Sequence, residues 1–593
     1  MCGIAGIITN NISIIKSFAQ DIPNMTSTIA HRGPDGFGYH YDDNHAFGHR
    51  RLSIVDLSQA GHQPMHYLDR YTITYNGEIY NHPELRNELM ERGYEFKSDT
   101  DTEVIMASYD AWGVECLSRF NGMWAFVIYD NQTGKYFMSR DRFGVKPFYF
   151  FKNTDTFIFA SEIKAILAHP KVKPTPNISY LQVYVNSYCR EDIPETPFND
   201  IFRFDFSSYF EGSIEDIFSD FNLQKFWEIN PNLSNEKFNS KKLKEYADKY
   251  YKLLEDAVKV RLRADVKVGA ALSGGLDSSS IVYLINNQLE KQGASNLLET
   301  FSSVYKSDGT QDCDESEFID TVARSLNVHS NQIEPSEKDI AKDIEDMIWH
   351  LESPPENSLM SSWNTFKLVG SSDVTITLDG QGADEQLGGY LTYLTNYISS
   401  LSSTSILVET WLAWSRIPGS QPYVLKGMYI GMLRNVFGRR LTNYILKHLK
   451  IDHEFDLNKR LAESTMGNLI TLILWADHTS MAFSVESRMP FMDYRLVEFL
   501  ASVPACYKIR RGWTKYLARV AFDGKLPDSV VWRKDKMGWP IPEKKWFNGS
   551  LKDWFVRNSN ESDILNSLVF YNNNFSIKIK KLILSLWYRR FIK

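Results

Sequence analysis

Short apolar runs that alternate with polar residues and end in turn residues crowd positions 1–165: GIAGIIT, YTITYNGEIY, MWAFVIYD, KYFMSRD, PFYFFKN and TFIFASE. A two-residue period closed by turn signals predicts strands of antiparallel sheets. Helical spacing interrupts them in HPELRNELMERG and TEVIMASYDAWG, the second starting near Thr102 and stopping at Gly113. Between 170 and 240 the pattern gives way to polar stretches carrying Pro174, Pro176, Pro194, Pro197 and Pro231, which predicts a domain boundary. Beyond it strands and helices alternate: VKVGAAL with SSSIVYLINNQLEKQG, LETFSSVY with DESEFIDTVARSLN, TFKLVGSS with VTITL. That alternation predicts a Rossmann-like parallel α/β sheet with crossover helices, and from about residue 395 the chain reads as mainly helical. The expected layout is an α/β multidomain chain, with one domain over 1–215, a linker over 216–240 and a second domain over 241–593.

Bulk properties narrow the class. At 593 residues the chain exceeds one ordinary core. A net charge of −7 argues against a nucleic-acid-binding surface. The five cysteines (Cys2, Cys116, Cys189, Cys313 and Cys506) are scattered and form no CxxC pair. A reducing, cytoplasmic compartment is expected, with neither a disulfide framework nor a structural zinc site. No signal peptide or membrane span is expected: the start lacks a basic region, and 406–436 is broken by Glu409, Arg416, Pro418 and Lys426. The final IKIKKLILSLWYRRFIK is basic and amphipathic and reads as a surface helix or tail.

Two places carry chemistry. Removal of Met1 would leave Cys2 with a thiol and a free α-amine titrating at about 7.7–8.0, so the residue would hold its own general base, the logic of an N-terminal nucleophile. In VKVGAALSGGLDSSSIVYL a strand, a glycine turn and a helix follow directly on one another. Ser273, Gly274 and Gly275 let the backbone approach a phosphate, and Ser278 and Ser279 open a helix whose N-terminus favours anions. No Gly-Lys-Ser/Thr follows, so this is not a Walker A loop. Asp277 would repel phosphate without a cation between them, which implies Mg²⁺. The SGGLDS loop is similar to the pyrophosphate loop of ATP pyrophosphatases, which split ATP to AMP and pyrophosphate. A second loop, VTITLDGQGADEQLGGY, also follows a strand and offers Asp384 and Glu385 as further carboxylates.

Together, CGIAG at 2–6, HRGPDGFG at 31–38, RRLSIVD at 50–56, NGEIYN at 76–81, SDTDTEVI at 98–105, RMPFMD at 488–493 and GWTKYLAR at 512–519 make the chain resemble class B, glutamine-hydrolysing asparagine synthetases along nearly its whole length. The resemblance implies an N-terminal Ntn-hydrolase αββα glutaminase joined to an adenylating synthetase domain. It implies that Cys2 attacks the glutamine amide and that Asn76 and Gly77 form the oxyanion hole. It implies that Arg51 pairs with the glutamine α-carboxylate, with Leu52, Ile54 and Val55 beside it, while Glu78 and Asp101 hold the α-ammonium. For ATP it implies Leu272, Ser273, Gly274, Gly275, Asp277, Ser278, Val304, Asp379, Gly380 and Gln381, with Lys515 neutralising pyrophosphate and Asp277 and Asp384 on Mg²⁺. The implied reaction turns aspartate into asparagine, and a homodimer is the family's implied assembly.

The second loop departs from the family's usual Ser-Gly-Glu-Gly: Asp379 stands where a hydroxyl is common, and Gln381 where a carboxylate is. An amide cannot take a proton as a general base. A different carboxylate acceptor, such as a sugar uronate or a secondary metabolite, is therefore a second reading. A non-catalytic homologue is a third, opposed by the presence of Cys2, Arg51 and Asp277.

Overall fold

A computed structural model describes residues 2–187, 189–234, 236–291, 293, 297–535, 541–560 and 562–593. The first strand, Gly3–Thr9, is buried along its whole length because both its faces are covered. Ile4 and Ile8 point into a cluster with Phe47, Val127 and Phe159 between two sheets. Ala5 and Ile7 point the other way, onto Ile22 and Met25 of the helix Phe18–Ser27. Period-two alternation with two apolar sets is what a strand needs when one face meets a sheet and the other a helix. Gly6 has no alternative there, since a Cβ would lie 2.2 Å from the Phe159 ring.

Two six-stranded sheets stack in this half. The first runs Ile201–Arg203, Tyr149–Lys152, Thr156–Ala160, Gly3–Thr9, His45–Arg51, Gly36–Tyr41; the second runs Gln224–Lys225, Ser208–Gly212, Lys135–Arg140, Gly122–Asp130, Tyr71–Ile79, Met65–Tyr67. Their ladders are antiparallel. The helices His82–Glu91 and Asp101–Trp112 cover the outer face of the second sheet through Leu85, Leu89, Val104 and Ile105. The result is the expected αββα layering.

The second half contains a five-stranded sheet ordered His329–Ile333, Glu299–Ser303, Val268–Ala271, Ile376–Leu378, Glu486–Arg488, parallel throughout. Chain order runs outward in both directions from Val268–Ala271, so the sheet reverses between that strand and Ile376–Leu378. Open parallel sheets bind ligands at the carboxyl ends of strands at such a reversal. The loops beginning at Leu272 and Asp379 leave that point.

Several expectations need correction. The segment 216–225 belongs to the first half, not to a linker: Gln224–Lys225 pairs with Ser208–Gly212, and Ile214 and Ile217 are buried between the sheets. The C-terminal helix Phe575–Phe591 is core rather than surface, with Leu582, Ile583, Leu584 and Trp587 at most 1% exposed. Its basic residues misled because Lys580 is neutralised internally, donating to the Tyr184 and Ser187 carbonyls and pairing with Glu356 at 2.9 Å. The edge strand Glu486–Arg488 is a three-residue polar insertion among helices, too short for periodicity to register. Among the described residues no helix is long and apolar enough to cross a membrane.

Candidate active sites

Cys2 is buried at the start of the central strand. Its backbone N–H donates to Asn76 Oδ1 at 3.0 Å, and its Sγ lies 3.9 Å from the Leu52 carbonyl oxygen. Asn76 is wholly buried within Tyr71–Ile79, and its Nδ2 has no partner among the described residues. An amide whose oxygen is pinned and whose donor is idle is set up to stabilise a developing oxyanion. Gly77 follows in the strand, where a Cβ would stand 2.1 Å from the Met123 carbonyl oxygen. Burial pushes the Cys2 thiol above its ordinary value, so its activation needs an adjacent base.

Arg51 ends its strand with the guanidinium held by two carbonyls, Ser58 O at 2.6 Å and Asp56 O. It forms no salt bridge among the described residues. A Cβ on Gly61 would meet it at 2.1 Å. Arg51 and Leu52 line a cavity of about 770 Å³ that Phe483 and Val485 of the second half also line. Asp101 opens its helix and accepts from Tyr75 Oη at 2.7 Å and the Ile79 N–H at 2.8 Å. Burial lifts both Asp101 and Glu78 above the usual carboxylate range, and their mutual repulsion adds to the shift at Glu78. Arg488 approaches Glu78 only to 3.8 Å. Two buried carboxylates short of positive charge suit an ammonium ligand. Ile54 packs instead among core residues of the second half, its carbonyl accepting from Asp265 N–H at 2.9 Å, with Val55 packed against the same cluster.

A second cavity, of about 380 Å³, lies at the sheet reversal and is lined by Ser273, Gly275, Asp277, Ser278, Asp379, Gly380, Gln381, Asp384 and Lys515 among the anticipated residues. Lys515 Nζ bonds Asp277 and lies 2.6 Å from Asp384 Oδ1. Burial works against its charge, but the two carboxylates prevail and raise its pKa to about 12. Two carboxylates converging from the first turns of two helices, Leu276–Lys291 and Ala383–Leu387, form a hard-oxygen set that fits Mg²⁺. Gly389 makes room for this cluster, since a Cβ there would lie 1.8 Å from Asp384 Oδ1. Burial raises Asp379 to about 6, even though Ser487 donates to one of its oxygens. Glu385 is buried and accepts from Tyr390 Oη at 2.7 Å, away from the cavity lining. Leu272 lines an adjoining crevice. Gly274 and Val304 line neither space: a Cβ on Gly274 would lie 2.7 Å from Phe318, and the Val304 N–H bonds Ile333 O at 2.9 Å.

Sequence reasoning missed what joins the two sites. Arg32, wholly buried, donates to the Cys2 carbonyl at 3.1 Å, to Glu162 at 2.9 Å and to Asp477 at 2.8 Å. Lys146 reaches the other Asp477 oxygen at 3.3 Å. Asp477 lies on the helix Asn468–Met481, which also lends Leu472, Trp475 and Ala476 to the nucleotide-side cavity. Arg32 and Asp477 stand 445 residues apart, so no local spacing links them.

Comparison with known proteins accords with this division. A glutamine amidotransferase domain model matches residues 1–227, and an asparagine synthase model matches residues 249–581. The chain is similar to asparagine synthetase [glutamine-hydrolyzing] 3 of Bacillus subtilis, 29% identical over 96% of this chain and 92% of that protein. A putative asparagine synthetase [glutamine-hydrolyzing] 2 of Methanocaldococcus jannaschii is 36% identical over 67% of this chain and 77% of its own. A Gibberella zeae protein named Amidase chry2 is 26% identical over 93% of this chain and 90% of its own. Among solved structures, glutamine phosphoribosylpyrophosphate amidotransferase from B. subtilis aligns with 64% of this chain and 82% of its own at 14% identity and a TM-score of 0.29, too low to bear on this fold.

Proposed function

We propose a function from the premise that this chain belongs to the asparagine synthase family of glutamine-dependent ligases: it hydrolyses glutamine at Cys2 and delivers the ammonia to aspartate, activated with ATP as its acyl-adenylate. In this reading the Cys2 sulfur attacks the glutamine amide carbon, Asn76 Nδ2 and the Gly77 N–H stabilise the oxyanion, and ammonia leaves before water cleaves the thioester. Arg51 takes the α-carboxylate, Leu52 flanks it, and Glu78 and Asp101 take the α-ammonium. At the other site Ser273, Gly275, Ser278 and Gly380 cradle the phosphates of ATP. Asp277 and Asp384 would hold Mg²⁺, which when bound neutralises phosphate charge. Lys515, released from those carboxylates, would turn to the departing pyrophosphate. Ammonia then displaces AMP to give asparagine.

The observation that carries this reading is the Arg32 bridge. One buried guanidinium grips both the nucleophile's own carbonyl and the helix that walls the nucleotide cavity, which supports joint use of the two sites.

A different carboxylate acceptor is favoured by one feature, the Asp379–Gln381 pair in the cavity lining; the likeness to a protein named an amidase is compatible with it. Incubating the Met1-processed protein with glutamine, ATP, Mg²⁺ and aspartate decides between them. Asparagine forming in step with AMP supports aspartate. Glutamate without AMP or asparagine contradicts it, and sugar uronates are the acceptors to test next.

A further inference from the structure

At the far end of the glutaminase sandwich lies a cluster that neither reaction uses. The strands Gly36–Tyr41 and His45–Arg51 are joined by a tight hairpin, with His40 facing Phe47 and Tyr41 facing Ala46 in register. The Asp42 N–H closes the turn onto the His45 carbonyl at 2.9 Å. Alternation along the strands puts His40, Asp42, His45 and Phe47 on one face, the face that Phe47 turns toward the second sheet. His45 pairs opposite Ile8 and Gly3 opposite Arg50, so the cluster lies roughly 17 Å along the strand from the Cys2 end.

His45 is only 1% exposed and packs against the Tyr129 ring, the ring centres 4.3 Å apart and the planes tilted by 53°. Its Nδ1 is engaged with Tyr136 Oη at 3.2 Å, while its Nε2 is buried with no partner among the described residues. His40 Nε2 is buried and unpartnered in the same way, and the two rings lie 5.5 Å apart. Buried imidazole nitrogens normally find a partner. Two of them idle side by side, next to a carboxylate, call for a group that accepts lone pairs from both. Among the described residues no protein group donates a proton to either.

The geometry points to a metal site: His40, Asp42 and His45 form a three-ligand site for a divalent transition ion of the zinc type, with the remaining position open to water. The three donor atoms already lie within 4.8 Å of one another. A tetrahedral set with bonds of 2.0–2.1 Å needs about 3.4 Å between donors, and Asp42, exposed at the hairpin turn, has the freedom to close that gap. The Tyr136 contact at Nδ1 fixes which His45 nitrogen faces the ion, the orienting role that outer partners play for metal-bound histidines. Imidazole nitrogens with one carboxylate favour zinc, copper or nickel over magnesium or calcium, so this site is chemically separate from the Asp277–Asp384 pair. His66, whose ring lies 4.9 Å from that of His40, flanks it from the second sheet.

The test uses the full chain, stripped with EDTA, kept reduced and titrated with Zn²⁺ against a competing indicator. One saturable Zn²⁺ per chain is expected, weakened at least about tenfold by H40A and by D42N. Asp42 is exposed, so D42N should fold normally, and unchanged glutaminase turnover in D42N verifies this. Because five cysteines are free, the Co²⁺-loaded chain supplies an independent reading: nitrogen and oxygen ligands give visible d–d bands without a thiolate charge-transfer band. The proposal is overturned by absence of saturable binding, by Zn²⁺ affinity in both variants equal to that of the unchanged chain, or by a thiolate band. Any of these would leave the cluster an aromatic and histidine stack bridged by water.

Discussion

Around Cys2 the carboxylates Glu78 and Asp101 are lifted by burial, with Arg488 no nearer to Glu78 than 3.8 Å, while Arg51 is held by backbone carbonyls. Around the nucleotide cavity Asp277 and Asp384 are already matched by Lys515. The first region holds charges of both signs apart, on two strands and a helix start, and the second brings opposite charges together at two helix starts. On the proposed reading a zwitterion would meet Arg51 with its carboxylate and the acids with its ammonium. A polyanion entering the second must recruit a cation and redirect the lysine. On the proposed reading the glutamine side is preorganised, and the ATP side rests with Lys515 shared between two carboxylates, an arrangement that its substrate would have to convert.

The largest expected effect separates the two regions altogether. C2A should lower glutamine-dependent product formation by at least about 10⁴-fold while synthesis from ammonium salts persists. Loss of both activities together would show that the sites are not independent.

K515A should come next, lowering ATP-dependent turnover about 10²–10³-fold and leaving glutaminase turnover in place. A stopped-flow assay of pyrophosphate release checks it. An unchanged rate would mean that the lysine serves only to quiet Asp277 and Asp384.

R32M attacks the bridge. It leaves Glu162 and Asp477 buried without their shared partner, a change that costs about 3–5 kcal/mol, read as a lower denaturant midpoint. It should also raise the glutamate released per AMP formed. Coupling that survives in a destabilised protein would restrict the bridge to a structural role.

The smallest effect concerns Asp379. Burial raises its folded pKa to about 6, above its unfolded value, so its favourable contribution is complete below the ordinary carboxylate range and is lost as pH rises through about 6. D379N should therefore melt above the wild type at pH 8, with the gap closing toward pH 5. Removing one negative charge near the phosphates should also tighten ATP about threefold to tenfold at pH 8. An affinity gain equal at both pH values would exclude the carboxylate's charge as the cause.

Legibility in the sequence followed distance along the chain. Strand alternation in YTITYNGEIY, the switch to βα alternation after 240 and the SGGLDS turn are local, and each marked its element or loop. Cys2 stood out because position 2 has chemistry of its own. The Arg32–Asp477 contact was invisible, since neither HRG nor WADHTS has a spacing that announces a partner across the fold. The C-terminal helix was misread for a related reason: a lysine such as Lys580 looks solvated until the carbonyls that receive it are known. Gly274, inside the glycine turn, and Val304, named through the family resemblance, do not line the cavity.

The central claim is that nitrogen liberated at Cys2 reaches the acceptor activated at the other site. Glutamine labelled with ¹⁵N in its amide, supplied beside an excess of unlabelled ammonium, tests it directly by mass spectrometry of the amidated product. Product that retains the ¹⁵N label is the predicted result. Product labelled only in proportion to bulk ammonium would contradict it.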